Sequence, residues 1–399
     1  MNRKNNKTQY RIFTNSSPRY GNTRKPRGIT LVPSNKICYN QPSGFSATDG
    51  SIDYTPISPY GNPPNLPKPG NPQPPPSGAL DCLKVSNDIY PLKDQLVYVV
   101  NSLDSTKNLI KSYTSLQIYN SSDSEIWINW LANETATQGK NGLSFNNEWS
   151  NVLKNLGITY VSKIDDIYSK GYFKLVSKNS VLLPYFGISV RIAPALDCTL
   201  NVDEQTATCK ISAGGTPSPQ TLFEYTWTPT GADVIDCSYV DGFSLPARLD
   251  YVTKRSPDPS VTSVYANCSK TICPPQYRII KDGKYAGCAS PCSYENNFPD
   301  DQKDYQQINE VCCKAQCDTP PLCTVGCTNT DTNNTIVSPY VVNWCNLVKS
   351  MTLSTPTPEN GQPAYCYAYD DKKGSIVDQE KINTRIKITF CKGDSYLDE

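Results

Sequence analysis

The distribution of cysteines limits the fold of this 399-residue chain more than any other feature. Fifteen of the seventeen cysteines lie between Cys198 and Cys391. Such a density predicts a framework of disulfides formed under oxidising conditions, because cytosolic thiols are kept reduced. The alternative is zinc held by thiolates, for example by Cys288 and Cys292, which have three residues between them. The CxxC spacing of common zinc sites is absent from the sequence. Disulfides are therefore the preferred interpretation, and neither a metal nor another cofactor is expected.

Several classes of function are excluded by residues that the sequence lacks. It contains no histidine, which rules out a Ser-His-Asp triad, a Cys-His nucleophile and a His-ligated zinc. It also contains no P-loop and no GxGxxG motif, so nucleotide chemistry has no support. The sequence shows neither an apolar run of about 18 residues nor a secretory signal. We therefore expect a chain that is not inserted in a membrane. Its disulfides form either after a processing step that removes a signal, or outside the secretory route, as in an assembling virion.

The N-terminal region differs in composition from the remainder. Residues 1–48 carry nine Lys or Arg and no acidic residue, whereas the whole chain has a net charge of +1. Residues 1–80 also contain 14 of the 33 prolines, which favours extended polyproline structure over a packed core. The sequence thus predicts a basic arm at 1–80. This arm either binds an acidic protein surface or nucleic acid, although no motif supports nucleic acid, or remains a solvated tail.

Beyond the arm the sequence becomes rich in β-forming residues. In the connecting segment 81–115, residues 96–100 predict a buried strand, while Leu103, Leu109 and Ile110 predict a short helix. From Leu116 onward, short runs of β-branched and aromatic residues are separated by Gly, Pro, Asn and Ser. These runs are LQIYN, EIWINWL, GYFKLV, GISVRI, FEYTWTP and TRIKITF. Their spacing predicts an antiparallel β-sandwich or barrel.

Several segments resemble the thaumatin-like family, and they occur in the family's order. They are IYNSSDSEIWI at 118–128, LFEYTW at 222–227, VDGFSLPARL at 240–249, VCCKAQC at 311–317, AYCYAYDD at 364–371 and IKITFC at 386–391. The resemblance spans residues 116–392. It implies a mainly β fold in which residues 116–267 and 346–399 form an antiparallel β-sandwich. Residues 268–345 would form a disulfide-rich lobe of loops and helix.

The same resemblance implies a set of disulfides. These are Cys198–Cys209, Cys273–Cys288, Cys292–Cys312 and Cys313–Cys317, with Cys268 bonded to Cys345 or Cys366. Cys323 and Cys327 are close enough in the sequence to form a local bridge. The family partner of Cys391 is missing from the first-strand region, so we predict a bridge between Cys391 and Cys82. The alternative is a buried, reduced Cys391, and Cys38 is expected to be free or to bond another molecule.

Members of the thaumatin-like family have an acidic cleft between the two lobes, and some bind or slowly hydrolyse β-1,3-glucan. The resemblance implies that seven residues of this chain line the cleft: Arg191, Glu224, Asp236, Asp241, Tyr365, Tyr367 and Asp370. Glycoside hydrolysis needs a protonated carboxyl group and a second carboxylate. Glu224 as the acid and Asp241 as the base or nucleophile are the catalytic candidates. Alternatively, the carboxylates only line a polar groove, and the tyrosines form one face of a strand.

The preferred functional interpretation is a non-enzymatic structural protein of a large assembly such as a virion, as a capsid-associated or surface component. The basic arm would bind other structural proteins, and the thaumatin-like domain would bind a polysaccharide or glycan. The location would be the virion or another extracellular, oxidised assembly. One alternative is an endo-β-1,3-glucanase that uses Glu224 and Asp241, and another is a secreted defence or sugar-binding protein.

Overall fold

The computed structural model describes the following residues: 98–103, 109–134, 144–211, 220–227, 233–254, 259–266, 268–281, 284–296, 311–312, 327–328, 335–336, 339–355, 364–366, 375–378 and 385–391. The predictions for the arm at 1–80, and for most of the connecting segment, lie outside these residues.

Strands make up most of the described structure. In chain order they are β1 (Tyr98–Leu103), β2 (Leu109–Asn120), β3 (Ile126–Asn133), β4 (Tyr160–Asp165), β5 (Tyr168–Leu175), β6 (Ser180–Leu183), β7 (Ile188–Asn201), β8 (Thr206–Ile211), β9 (Leu222–Thr226), β10 (Asp233–Ser238), β11 (Gly242–Phe243), β12 (Ala247–Lys254), β13 (Pro259–Ala266), β14 (Arg278–Lys281), β15 (Lys284–Ala289), β16 (Cys327–Thr328), β17 (Thr335–Ile336), β18 (Thr352–Thr355), β19 (Ser375–Asp378) and β20 (Arg385–Phe390). The described helices are α1 (Phe145–Asn155), α2 (Pro291–Asn296) and α3 (Pro339–Met351), and a 3-10 turn covers Pro275–Tyr277.

Two large sheets form the centre of the described structure. The first sheet has the order β1-β2-β20-β12-β13-β18, and β6 also pairs with β2. The second sheet has the order β19-β10-β9-β7-β3-β5-β4, and β8 also pairs with β7. A third sheet has the order β11-β15-β14, and β16 pairs with β17. The pairs are antiparallel except for β2 and β20, which run parallel. This mainly β architecture with antiparallel sheets confirms the predicted fold class.

Alternation of side chains explains how the two large sheets pack together. In β3, Ile126, Ile128 and Trp130 lie on one face and are buried in the main core, as the period of two in a strand requires. The rings of Phe223 in the second sheet and Phe390 in the first have centroids 5.6 Å apart. The two inner faces therefore share one hydrophobic core, as in a sandwich.

The prediction of a short helix around Leu103, Leu109 and Ile110 is wrong. Leu103 ends β1, and the other two residues begin β2. Leu103 pairs with Leu109 across an antiparallel ladder, so strand pairing outweighs the helix-like spacing of these apolar residues. The strand predicted at 96–100 corresponds in part to β1.

Helix α1 is an element that the sequence patterns had not indicated. The side chain of Ser144 accepts a hydrogen bond from the backbone N–H of Asn147, which caps the helix. Phe145, Trp149 and Leu153 follow at intervals of four and are buried. A capping serine followed by apolar residues at this spacing is a helix signal. The signal was overlooked because the neighbouring segments are rich in β-forming residues.

Three of the implied disulfides are present, namely Cys198–Cys209, Cys273–Cys288 and Cys292–Cys312. Such bridges indicate an oxidising environment. Within the described ranges, no group of three or more metal-ligating side chains is arranged to hold an ion. The described helices include none that is long and apolar enough to cross a bilayer.

The pairing implied for Cys268 is wrong. Cys345 on α3 bonds to Cys366 instead, with Cα atoms 5.1 Å apart. Cys268 is a free, buried thiol that accepts a hydrogen bond from the hydroxyl of Thr221, and Cys237 is also free and buried. Cys345 and Cys366 are therefore bonded to each other, and Cys268 packs as a small side chain in the core.

Cys391 is disulfide-bonded, so the alternative of a reduced Cys391 is wrong. Its predicted partner Cys82 lies outside the described residues. The same is true of four other cysteines with predicted states, Cys38, Cys313, Cys317 and Cys323. Cys327 contributes its backbone to β16, and its side chain is not among those described.

Candidate functional site

Three of the candidate residues form a row across neighbouring strands of the second sheet. Arg191 on β7 pairs with Glu224 on β9, and Glu224 pairs with Asp236 on β10. Residues in register share a face of a sheet. Their sequence neighbours belong to the main core, namely Val190, Ile192, Phe223, Tyr225, Ile235 and Cys237. The row therefore lies on the outer face of the second sheet, and its three residues are among those that the resemblance implied for the cleft.

A tight turn brings Asp241 to the same place. The N–H of Gly242 donates to the carbonyl of Tyr239 at 3.1 Å, and Gly242 has φ +118°, a conformation that favours glycine. This is the bend that the sequence required if Asp236 and Asp241 were to converge. The carboxyl group of Asp241 interacts electrostatically with Arg191 and Glu224. We call Arg191, Glu224, Asp236 and Asp241 the acidic site.

Two residues outside the recognised segments hold this turn. The N–H of Ser290 donates to the carbonyl of Asp241 at 3.2 Å. The indole N–H of Trp344 donates to the carbonyl of Tyr239 at 3.0 Å, and its ring stacks on Phe243 with centroids 5.9 Å apart. Sequence reasoning missed Trp344 because it lies on α3, outside the short segments that carry the resemblance to the family.

An ion pair orders the centre of the acidic site. Nε of Arg191 donates to Oε1 of Glu224 at 2.8 Å, and the two side chains are only 15% and 11% exposed. Among the described residues, the buried Oε2 atom of Glu224 has no hydrogen-bond partner. A buried acceptor without a partner costs free energy, and it is available to a hydroxyl group of a ligand.

Asp241 has a different electrostatic environment from Glu224. Burial raises the pKa of Asp241 from its ordinary value of 3.8 to about 7; the negative charge of Glu224 also raises this pKa, whereas the positive charge of Arg191 lowers it. The buried Oδ1 atom has no hydrogen-bond partner in the described part of the chain. At neutral pH a large fraction of Asp241 is therefore protonated beside the carboxylate of Glu224. Such a pair can supply both an acid and a base.

Among the remaining candidates, Tyr365 is the one that the structure describes, and its ring does not join the acidic site. Tyr365 bridges to Ser238, and its backbone N–H donates to the carbonyl of Cys237 at 2.8 Å. Its side chain is 2% exposed, which leaves no ring face for stacking on a sugar. Tyr367 and Asp370 lie outside the described residues.

Comparisons with known proteins give one partial sequence similarity and one distant structural match. No family profile matches the chain. The chain is 33% identical over 181 residues to "Thaumatin-like protein 1" of Pyrus pyrifolia, a match that covers 45% of this chain and spans 57% of that relative. This similarity supports a thaumatin-like relationship at low identity and partial coverage. Among solved structures, the crystal structure of a β-1,3-glucanase domain from Clostridium beijerinckii has a TM-score of 0.33 and 11% identity, covering 69% of this chain and 98% of that domain.

Proposed function

We propose that the acidic site cleaves glycosidic bonds, with Asp241 as the proton donor and Glu224 as the second carboxylate. The observation that carries this proposal is the contrast between the two groups, because Asp241 has a pKa of about 7 while Glu224 is paired with Arg191. These roles are the reverse of those expected from the sequence, where Glu224 was the acid and Asp241 was the base or nucleophile. The proposed substrate class, β-1,3-glucan, follows from the resemblance to thaumatin-like proteins.

The chemistry needs one protonated and one ionised carboxyl group. Asp241 donates its proton to the leaving glycosidic oxygen, and Glu224 attacks the anomeric carbon or activates a water molecule. Arg191 orients Glu224 through the hydrogen bond to Oε1, so that Oε2 is the reacting oxygen. Because catalysis requires protonated Asp241, we expect activity to fall as the pH rises through about 7.

Hydrolysis of laminarin by the purified full-length protein tests this proposal. We expect Glu224→Gln and Asp241→Asn each to reduce the release of reducing ends by a factor of about 100 or more, as for loss of a general acid or base. Asp165→Asn is the matched control, because Asp165 lies on the exposed end of β4 and pairs with Lys170. If the folded wild-type protein releases no reducing ends, or if both variants retain full activity, the site is not catalytic. Retention in a laminarin gel without release of reducing ends would indicate glycan binding alone.

A second function is favoured by the arm. We propose that residues 1–48, with nine basic and no acidic side chains, tether the domain to an acidic surface of a larger assembly such as a virion. Other structural proteins are the proposed partners. Full-length protein should bind an acidic protein surface at about 50 mM salt and lose this binding at about 300 mM, because surface charges are screened. Deletion of 1–80 should abolish the binding at about 50 mM salt while leaving the thermal midpoint of the domain unchanged. Binding that ignores salt, or a domain that unfolds without the arm, would contradict this function.

A further inference from the structure

The outer face of the first sheet carries charged side chains that are nevertheless buried. In β12, Ala247, Leu249 and Tyr251 point into the main core, so Arg248 and Asp250 between them point to the outer face. These two side chains are only 2% and 1% exposed. Arg248 Nε donates to Asp250 Oδ1 at 2.6 Å. On an open sheet face, a guanidinium group of this length would be in contact with water.

Neighbouring strands extend this polar surface. Asp250 is in register with Lys387 of β20, which is in register with Gln117 of β2. Arg248 is likewise in register with Thr389 and then Tyr119. Nζ of Lys387 lies 5.1 Å from the centroid of the Tyr119 ring, and Thr389 is buried. We call these residues the outer polar face.

The described helices pack against other parts of the protein. Helix α1 contacts β4 and β5 of the second sheet, and α2 contacts β15 and α3. Helix α3 contacts β17 and runs into the edge strand β18. The described helices therefore do not account for the burial of Arg248 and Asp250, and a further segment is needed to cover them.

The path of the chain into β1 identifies which segment this is. Strand β1 pairs with the first half of β2, and its first residue Tyr98 is opposite Thr114. The next stretch of β2 pairs with β6, where Leu116 is opposite Leu183. A chain that entered at Tyr98 in line with β1 would meet the stretch of β2 that already pairs with β6, whereas a path over a face of the sheet meets no such strand. The inner face is filled by the core, so the outer polar face remains.

Cys391 provides a second, independent observation. By alternation after Lys387 and Thr389, Cys391 lies on the outer side, and its N–H donates to the carbonyl of Pro246 at 2.9 Å. Its sulfur accepts a hydrogen bond from the hydroxyl of Ser121 at 3.5 Å. Cys391 is disulfide-bonded and is not bonded to any cysteine in the four described bridges. A covalent partner therefore reaches this end of the outer polar face.

We infer that residues 81–97 cross the outer polar face and are fixed there by a disulfide between Cys82 and Cys391. Sixteen residues separate Cys82 from Tyr98, a reach of about 50 Å when extended, against a path of about 25 Å along β2 and across two strand spacings. The segment carries Asp81, Asp88 and Asp94 against Lys84 and Lys93, with apolar side chains between them, so its net charge is negative and complements Lys387. The purely basic residues 1–48 would be repelled by the same cation. The bridge forms by thiol–disulfide exchange, in which two thiols pass two electrons and two protons to a disulfide oxidant.

Peptide mapping of the non-reduced full chain tests the bridge without any variant. Cleavage with trypsin and with a protease that cuts before Asp releases Cys82 in DCLK and Cys391 in ITFCK. This pair of proteases separates Cys82 from Cys38. We expect the two peptides to be linked to each other. A link from ITFCK to any other peptide, or an alkylated free Cys391, would overturn the inference.

Hydrogen exchange tests the covering of the face and distinguishes it from other occupants. We expect amides in 85–97 to exchange at least about tenfold more slowly than those in 1–48. Lys387→Glu should remove this protection, whereas Lys174→Glu, at a lysine 6.0 Å from the Trp127 ring on the second sheet, should preserve it. Equal exchange in the two segments would overturn the inference. So would a dimer, seen by sedimentation, that protects the face while residues 85–97 exchange freely.

Discussion

The raised pKa of Asp241 predicts an unusual dependence of stability on pH. The carboxyl group has a pKa of about 7 in the folded protein and an ordinary value of 3.8, which we take for the unfolded chain. Between these values the folded state binds more protons than the unfolded state. Stability from this group is therefore fully present below about pH 4 and is lost as the pH rises through about 7. Most acidic residues in folded proteins act in the opposite direction.

The substitution Asp241→Asn removes the free-energy cost of ionising the carboxyl group at this position. At about 1.4 kcal/mol for each tenfold change in proton affinity, the difference between 3.8 and about 7 sets a ceiling of about 4 kcal/mol. We expect the unfolding free energy of the variant, relative to that of the wild type, to increase by about 2–4 kcal/mol from pH 4 to pH 8. Above pH 8 this difference should stay constant. The gain arises because an amide needs no proton to remain neutral beside Glu224.

Denaturant titrations at pH 4, 6 and 8 measure this difference directly. Asp165→Asn is an informative control, because the hydrogen bond and positive charge of Lys170 lower the pKa of Asp165. Its replacement should destabilise the protein slightly at pH 8 and have no effect at low pH. If the difference between Asp241→Asn and wild type is the same at all three pH values, Asp241 is not protonated in the folded protein and its role as an acid fails.

Two further predictions concern the core and the bridges. A Cβ atom at Gly171 would lie 2.0 Å from the ring of the buried Trp130, so Gly171→Ala should cost about 3 kcal/mol through overpacking; thermal melts measure it. Gly157→Ala, where a Cβ meets nothing within 4 Å but φ is +67°, should cost only about 1 kcal/mol, and equal losses would contradict the packing argument. Replacing Cys345 and Cys366 together by Ser should lower the unfolding free energy by about 2–4 kcal/mol, and no loss in denaturant titrations would mean that this bridge does not form in solution.

The sequence predicted those features that depend on local pattern. The alternation in β3 and the resemblance around VDGFSLP are short-range signals, and the structure contains both the strand and the turn at Gly242. The family resemblance likewise implied the Cys198–Cys209 bridge, which joins neighbouring strands.

Features that depend on long-range register could not be predicted in this way. Arg191 and Glu224 are 33 residues apart, and nothing local indicates that β7 and β9 place them side by side. The pairing of Cys345 with Cys366 depends on the position of α3, which lies outside the short segments that carry the family resemblance. The protonation of Asp241 depends on burial and on two charged neighbours, and these exist only once the strands have assembled.

The parallel pairing of β2 with β20 has a consequence for how the protein is made. Strand β20 lies between β2 and β12 in the first sheet, and 270 residues separate Ser121 from Cys391 at the end of this pair. During synthesis β2 leaves the ribosome early, and it cannot pair with β20 until most of the chain has been made. Until then β2 and β12 expose unpaired edges, which favours aggregation. The sandwich is therefore expected to close only after β20 has emerged, and nascent chains that stop before Arg385 should depend on chaperones to stay soluble.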